Sequence, residues 1–66
     1  MSDVPPLVEA ANRGELAKVR ALLAGRANVN QANSYGWTAL YQAARRGHPE
    51  VLQALLQAGA DVGRAD

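Results

Sequence analysis

Tyr35, Trp37 and Tyr41 stand within seven residues of one another, and Arg45 and Arg46 follow one helical turn later. Aromatic rings beside guanidinium groups supply stacking, cation–π attraction and bidentate hydrogen bonding. Tyr, Trp and Arg are also the residue types enriched where one protein grips another. The same types could stack on single-stranded nucleic-acid bases. Six acidic residues nearly balance seven basic ones, however, and a net charge of +1 gives little pull on a polyanion. Catalytic groupings are absent from the sequence. His48 is the single histidine and there is no cysteine, so one chain offers neither a zinc ligand set nor a disulfide. Ser34 has no base signalled near it. Glu9, Glu15 and Glu50 read as charges near helix starts rather than as an acid–base pair. The expectation is a non-enzyme with no cofactor and no metal.

These residues need elements to hold them. Pro5-Pro6 suits a helix start, because proline fits the first turn and lacks the N–H that would be orphaned there. Leu7–Arg13 then reads as a short helix with Leu7, Ala10 and Ala11 on one face, ended by Gly14. Glu15–Ala24 reads as a second helix with Val19, Leu22 and Leu23 at i, i+3 and i+4. From Ala27 to Trp37 the chain is polar, with a tight turn expected near Ser34–Gly36. Thr38 is a good N-cap for a third helix, Ala39–Arg46, ended by Gly47. Pro49 opens a fourth helix that closes near Ala58, with Gly59 as the left-handed residue after it.

The order of elements recurs because the sequence recurs. Shifted by 33 residues, Leu7, Ala10, Ala11, Arg13, Gly14, Ala21, Leu22, Leu23, Ala27, Val29 and Ala32 meet identical partners, 11 of the 27 positions from Leu7 to Asn33. A fixed period of this length signals stacked repeats, each unable to bury its apolar stripe alone. The units divide as residues 1–32 and 33–66. Where the second unit has Val51, the first has Lys18, which suits a terminal unit whose outer face meets water.

The run from Gly36 to Val62, including Gly36-Trp37-Thr38-Ala39-Leu40, Ala43-Ala44, Gly47-His48, Leu55-Leu56 and Gly59-Ala60-Asp61-Val62, resembles the ankyrin repeat. The first unit, Pro6–Asn30, matches more loosely. The resemblance implies an all-α ankyrin-repeat solenoid fragment: two stacked helix–turn–helix pairs with a β-turn or hairpin loop. Departures carry expectations of their own. Ala39 and Tyr41 replace the motif proline and histidine, which loosens the loop that this histidine would tie. Arg26 takes the capping-glycine position with Gly25 one residue early, which predicts a distorted exit turn. A narrower similarity links Glu15–Leu23 and Asn33-Ser34-Tyr35-Gly36 to the ankyrin-type cyclin-dependent-kinase inhibitors.

Carried over position by position, the resemblance implies a partner-binding stripe on the concave face. Its members are Ser34, Tyr35, Trp37, Arg45 and Arg46, with Asn12 and Arg13 as first-unit counterparts. It also implies a modification candidate, Asn30, with Leu22 eight residues before it. The implied function is protein–protein interaction, as the N-terminal piece of a longer ankyrin domain. The alternatives are a kinase-inhibitor-like protein and a unit that self-associates through Val51, Leu52, Leu55 and Leu56. No apolar run nears the roughly 20 residues of a membrane span, and the prolines and Asp3 before Leu7 argue against a secretory signal. A cytoplasmic or nuclear setting is expected, without membrane or nucleic-acid partners.

Overall fold

The computed structural model describes residues 5–60. The expected frayed start at residues 1–4 and the closing stretch 61–66, with Gly63 and Asp66, lie outside them. Among the described residues four helices follow in order: α1 (Pro6–Arg13), α2 (Leu16–Ala24), α3 (Ala39–Arg46) and α4 (Pro49–Gln57). They form two helix–turn–helix pairs stacked side by side, α1 chiefly against α3, with a thinner contact between α2 and α4. Among the described residues the only β feature is a single antiparallel bridge between Ala32 and Thr38.

All four helices stop in the same way. After α1, the Gly14 N–H donates to the Ala11 carbonyl and the Glu15 N–H to the Ala10 carbonyl. The pattern repeats for Gly47 and His48 after α3, for Arg26 and Ala27 after α2, and for Gly59 and Ala60 after α4. This paired bonding satisfies carbonyls that a helix end would otherwise leave orphaned, and it needs a left-handed residue at each turn. Three of the four positions are glycine. The fourth is Arg26, held at φ +65° where its counterpart Gly59 has φ +91°. The expected distortion of this turn is therefore corrected. The turn keeps its hydrogen bonds, and Arg26 takes up the strain in its own backbone instead of passing it on.

Burial distinguishes the two sides of each pair. Val8, Ala11 and Val19 are buried, whereas their counterparts Tyr41, Ala44 and Leu52 are half-buried or exposed. The reverse holds on the other side. Val51 and Leu55 are buried where Lys18 is exposed and Leu22 half-buried. The first pair thus meets the second through Val8, Ala11 and Val19, and the second answers with Val51 and Leu55. This corrects the apolar face proposed for self-association. Val51 and Leu55 are spent inside the core, and only Leu52, half-buried, and Leu56, 43% exposed, remain at the surface. The physical reason is helical phase: Leu52 and Leu56 each follow by one residue, about 100° around the axis.

Small side chains set the spacing of the inner helices. Ala10, Ala11, Ala39 and Ala43 are all at most 1% exposed. The two buried polar residues among those described, Thr38 and Gln42, both have partners. Gln42 accepts a hydrogen bond from the Asn12 side-chain amide at 3.0 Å, linking α3 to α1.

Leu55→Ala should lower the urea midpoint further than Leu22→Ala. A fully buried leucine costs roughly 2–5 kcal/mol on truncation, and Leu22 has part of its surface in water already. Equal losses would contradict the assignment of Leu55 to the face between the pairs. Arg26→Gly should raise stability by about 0.5–1 kcal/mol, the left-handed strain relieved less the extra unfolded-chain entropy of glycine. An unchanged or lower midpoint would show that the arginine side chain compensates for its backbone.

Candidate functional site

The turn between the pairs is organised by one side chain. Asn33 exchanges backbone bonds around it: its N–H donates to the Trp37 carbonyl at 2.9 Å, and its carbonyl accepts from the Gly36 N–H at 2.9 Å. Its side-chain Oδ1 accepts two more, from the Tyr35 N–H at 2.9 Å and the Trp37 N–H at 3.0 Å. A short polar side chain bonding its own turn two residues on is what makes Asn favoured here. Gly36, at φ +81°, completes the reversal. Thr38 follows at once as the α3 N-cap, its Oγ1 accepting from the Tyr41 N–H at 3.2 Å. The looseness expected from losing the motif histidine at Tyr41 is thus met by a second device, the Asn33 amide.

This frame aligns three rings and a cation. Tyr35 stacks on Trp37 with centroids 5.1 Å apart and planes inclined by 29°. Trp37 meets Tyr41 at 5.6 Å and 32°. The Arg45 guanidinium lies 4.9 Å from the Trp37 ring centroid. Tyr41 and Arg45 are one turn apart on α3, so helical spacing places both against the indole. Tyr35 is 76% exposed, Arg45 is exposed, and Trp37 and Tyr41 are half-buried. Contacts of these kinds contribute roughly 0.5–1.5 kcal/mol each, enough to hold the rings in one arrangement at the surface.

The remaining predicted residues divide. Ser34 is exposed on the turn, and Arg46 is exposed at the end of α3. Arg13, exposed at the matching end of α1, is ion-paired with Glu9 at 2.8 Å. A solvated pair of this kind adds little stability. Asn12 is placed differently from the expectation. It is half-buried, its amide donates to Gln42, and its carbonyl accepts from His48 Nε2–H at 3.1 Å. A carbonyl can only accept, which fixes the imidazole proton on Nε2. The His48 ring also covers Gly14 closely: a Cβ there would come within 2.7 Å of it. The single histidine is thereby committed to joining the two pairs. Asn30 is half-buried in the preceding loop, its N–H donating to Asn28 Oδ1 at 3.1 Å. Glu15 and Glu50 are exposed, and among the described residues no three His, Cys, Asp or Glu converge as metal ligands. Away from these residues, an open groove of about 440 Å³ is lined by residues of α2 and α4 including Arg20, Leu23, Gln53 and Gln57.

Two residues that matter to this geometry, Asn33 and Gln42, are not among the site residues read from the sequence. Asn33 carried a signal, a polar turn residue three before Gly36. Gln42 carried none, since a glutamine in a helix reads as solvent-facing.

Comparison with known proteins bears on the whole length. A family model described as "Ankyrin repeats (3 copies)" matches residues 2–66. The NAD-capped RNA hydrolase NUDT12 of Homo sapiens is 44% identical over 52 residues, 77% of this chain and 11% of that protein. Ankyrin repeat and SAM domain-containing protein 6 of Rattus norvegicus is 55% identical over 58 residues, 86% of this chain and 7% of its own length. The E3 ubiquitin-protein ligase XBAT33 of Arabidopsis thaliana is 49% identical over 61 residues, 92% of this chain and 12% of that protein. The chain spans about a tenth of the length of these curated relatives.

Asn33→Ala removes both side-chain bonds from the turn. Amide exchange at Tyr35 and Trp37 should accelerate by tenfold or more, at roughly 0.5–1.5 kcal/mol per bond, while the α1 amides keep their protection. Asn33→Asp retains the acceptors and should keep the exchange slow. If alanine left both amides as protected as before, the ladder would not depend on Asn33.

Proposed function

The chain belongs to the ankyrin-repeat family, and from that premise we propose that it is a non-enzymatic interaction module that binds a protein partner through its concave face, the surface of the loop tip and the inner helices. Ankyrin repeats generally mediate protein–protein contacts. The finer reading rests on the ladder of Tyr35, Trp37 and Tyr41 with Arg45 over the indole. Its rings are ordered before any partner arrives, so binding loses little side-chain entropy there. Ser34 and Arg46 extend the surface at either end, and Arg13 continues it onto α1. Asn12 belongs to the support beneath it.

The catalytic part of one relative's name is no guide to this chain, because the likeness to that hydrolase covers 11% of it. On the present reading the chain performs no chemistry of its own, and a cytoplasmic or nuclear setting goes with it.

With a bound partner in hand, Tyr35→Ala and Arg45→Ala should each weaken binding by about 2 kcal/mol or more, the usual cost of a central hot spot. Gln53→Ala and Gln57→Ala, in the groove lined by α2 and α4, should bind as the parent does, with circular dichroism confirming that every variant folds. Loss of binding in the glutamine variants alone would place the partner in the α2–α4 groove instead.

A further inference from the structure

Charge is distributed unevenly along this chain. From Leu16 to Pro49 there is no Asp or Glu, while Lys18, Arg20, Arg26, Arg45 and Arg46 all fall within that stretch. The turn and α3, which build the aromatic ladder, therefore carry no carboxylate of their own. On α1 the single acid is Glu9, already paired with Arg13. Among the described residues neither Arg45 nor Arg46 has an ion-pair partner. The Arg45 guanidinium carbon lies over the Trp37 ring, 4.9 Å from its centroid. Arg45 is exposed, and among the described residues its N–H donors meet no carboxylate, the group a guanidinium fork binds bidentately.

Building on the concave-face reading above, we propose that the partner segment is acidic: an extended peptide whose carboxylates meet Arg45 and Arg46 while an aromatic or aliphatic side chain lies on Tyr35. The rings argue for a peptide over single-stranded nucleic acid. Trp37 already has Tyr35, Tyr41 and Arg45 against it. Only Tyr35, 76% exposed, offers a broad open surface. A strand of nucleic acid needs successive open platforms, whereas a peptide needs one apolar contact with charges beside it. Pre-stacking also matters to the charge. An arginine already held over an indole gives up less freedom on engaging a carboxylate than one that is free in solvent.

The test uses the intact chain and its single tryptophan as the reporter. A random copolymer of Glu and Tyr is titrated in, against a Lys–Tyr copolymer and an oligo-dT strand of similar length, with the tryptophan excited selectively. The Glu–Tyr polymer should perturb Trp37 and bind, weakening several-fold as salt rises from low to physiological strength and beyond. Arg45→Ala and Arg46→Ala should each cost about tenfold, while Lys18→Ala leaves binding unchanged. Equal or tighter binding of the Lys–Tyr polymer or of oligo-dT, or no binding of the Glu–Tyr polymer, would overturn the acidic preference. If Tyr35→Ala abolished binding of the Lys–Tyr polymer, the concave face would stand and only its charge preference would fall. If Lys18→Ala or Arg20→Ala abolished Glu–Tyr binding while Tyr35→Ala and Arg45→Ala did not, both proposals would fall together.

Discussion

Close approach of α1 to α3 is the constraint on which this small structure depends. Four alanines, Ala10 and Ala11 on α1 and Ala39 and Ala43 on α3, are buried in the core that these helices share. Any larger side chain there would push the pairs apart and open the contact of Val8, Val19, Val51 and Leu55 behind it. Small side chains supply little apolar area each, so the contact needs directional help. It comes from hydrogen bonds that cross between the pairs: Asn12 to Gln42, and His48 to the Asn12 carbonyl. Both meet at one residue, so the end of α1 is tied to the second pair at two points on Asn12. Packing sets the distance between the pairs and the hydrogen bonds set their register.

The ladder depends on that register at one remove. Trp37 and Tyr35 are aligned by the Asn33 turn, but Tyr41 and Arg45 are aligned by α3. Thr38 joins the two, closing the hairpin through its bridge to Ala32 and capping α3 with its hydroxyl. Thr38, only 2% exposed, fixes that junction against the core. The three rings are therefore carried by a base anchored in the core, as the proposed recognition surface requires.

Much of this was legible in the sequence because it follows from local rules. Helix ends were marked by Gly14, Gly47, Pro49 and Thr38, each acting through its own backbone or hydroxyl. The 33-residue recurrence made the second pair a check on the first. What escaped was non-local or compensated. Arg26 looked like a fault, yet the hydrogen-bond pattern of the turn recruits it into a glycine's conformation. Val51, Leu52, Leu55 and Leu56 looked like one apolar face. Separating them needs the phase of α4 relative to α2, which no single helix pattern contains. Within the candidate site, the aromatic cluster and Arg45 could be read from types and spacing. Asn12 could not be told from a surface residue, because its partner Gln42 lies 30 residues away.

Gly14 and Gly47 hold the same place in their repeats and have nearly the same φ, +72° and +74°. Around Gly14 the His48 ring fills the space where a Cβ would sit; around Gly47 nothing lies within 4 Å. The two sites therefore answer differently to the same substitution. At Gly47 only the backbone conformation resists change, and Asn or Asp can adopt it at moderate cost. At Gly14 the conformation resists in the same way, and a Cβ would in addition have to displace the His48 ring. A profile averaged over repeats would record one conserved glycine and hide two unequal degrees of freedom. Position within the stack, as much as membership of the repeat, decides how much a residue may vary.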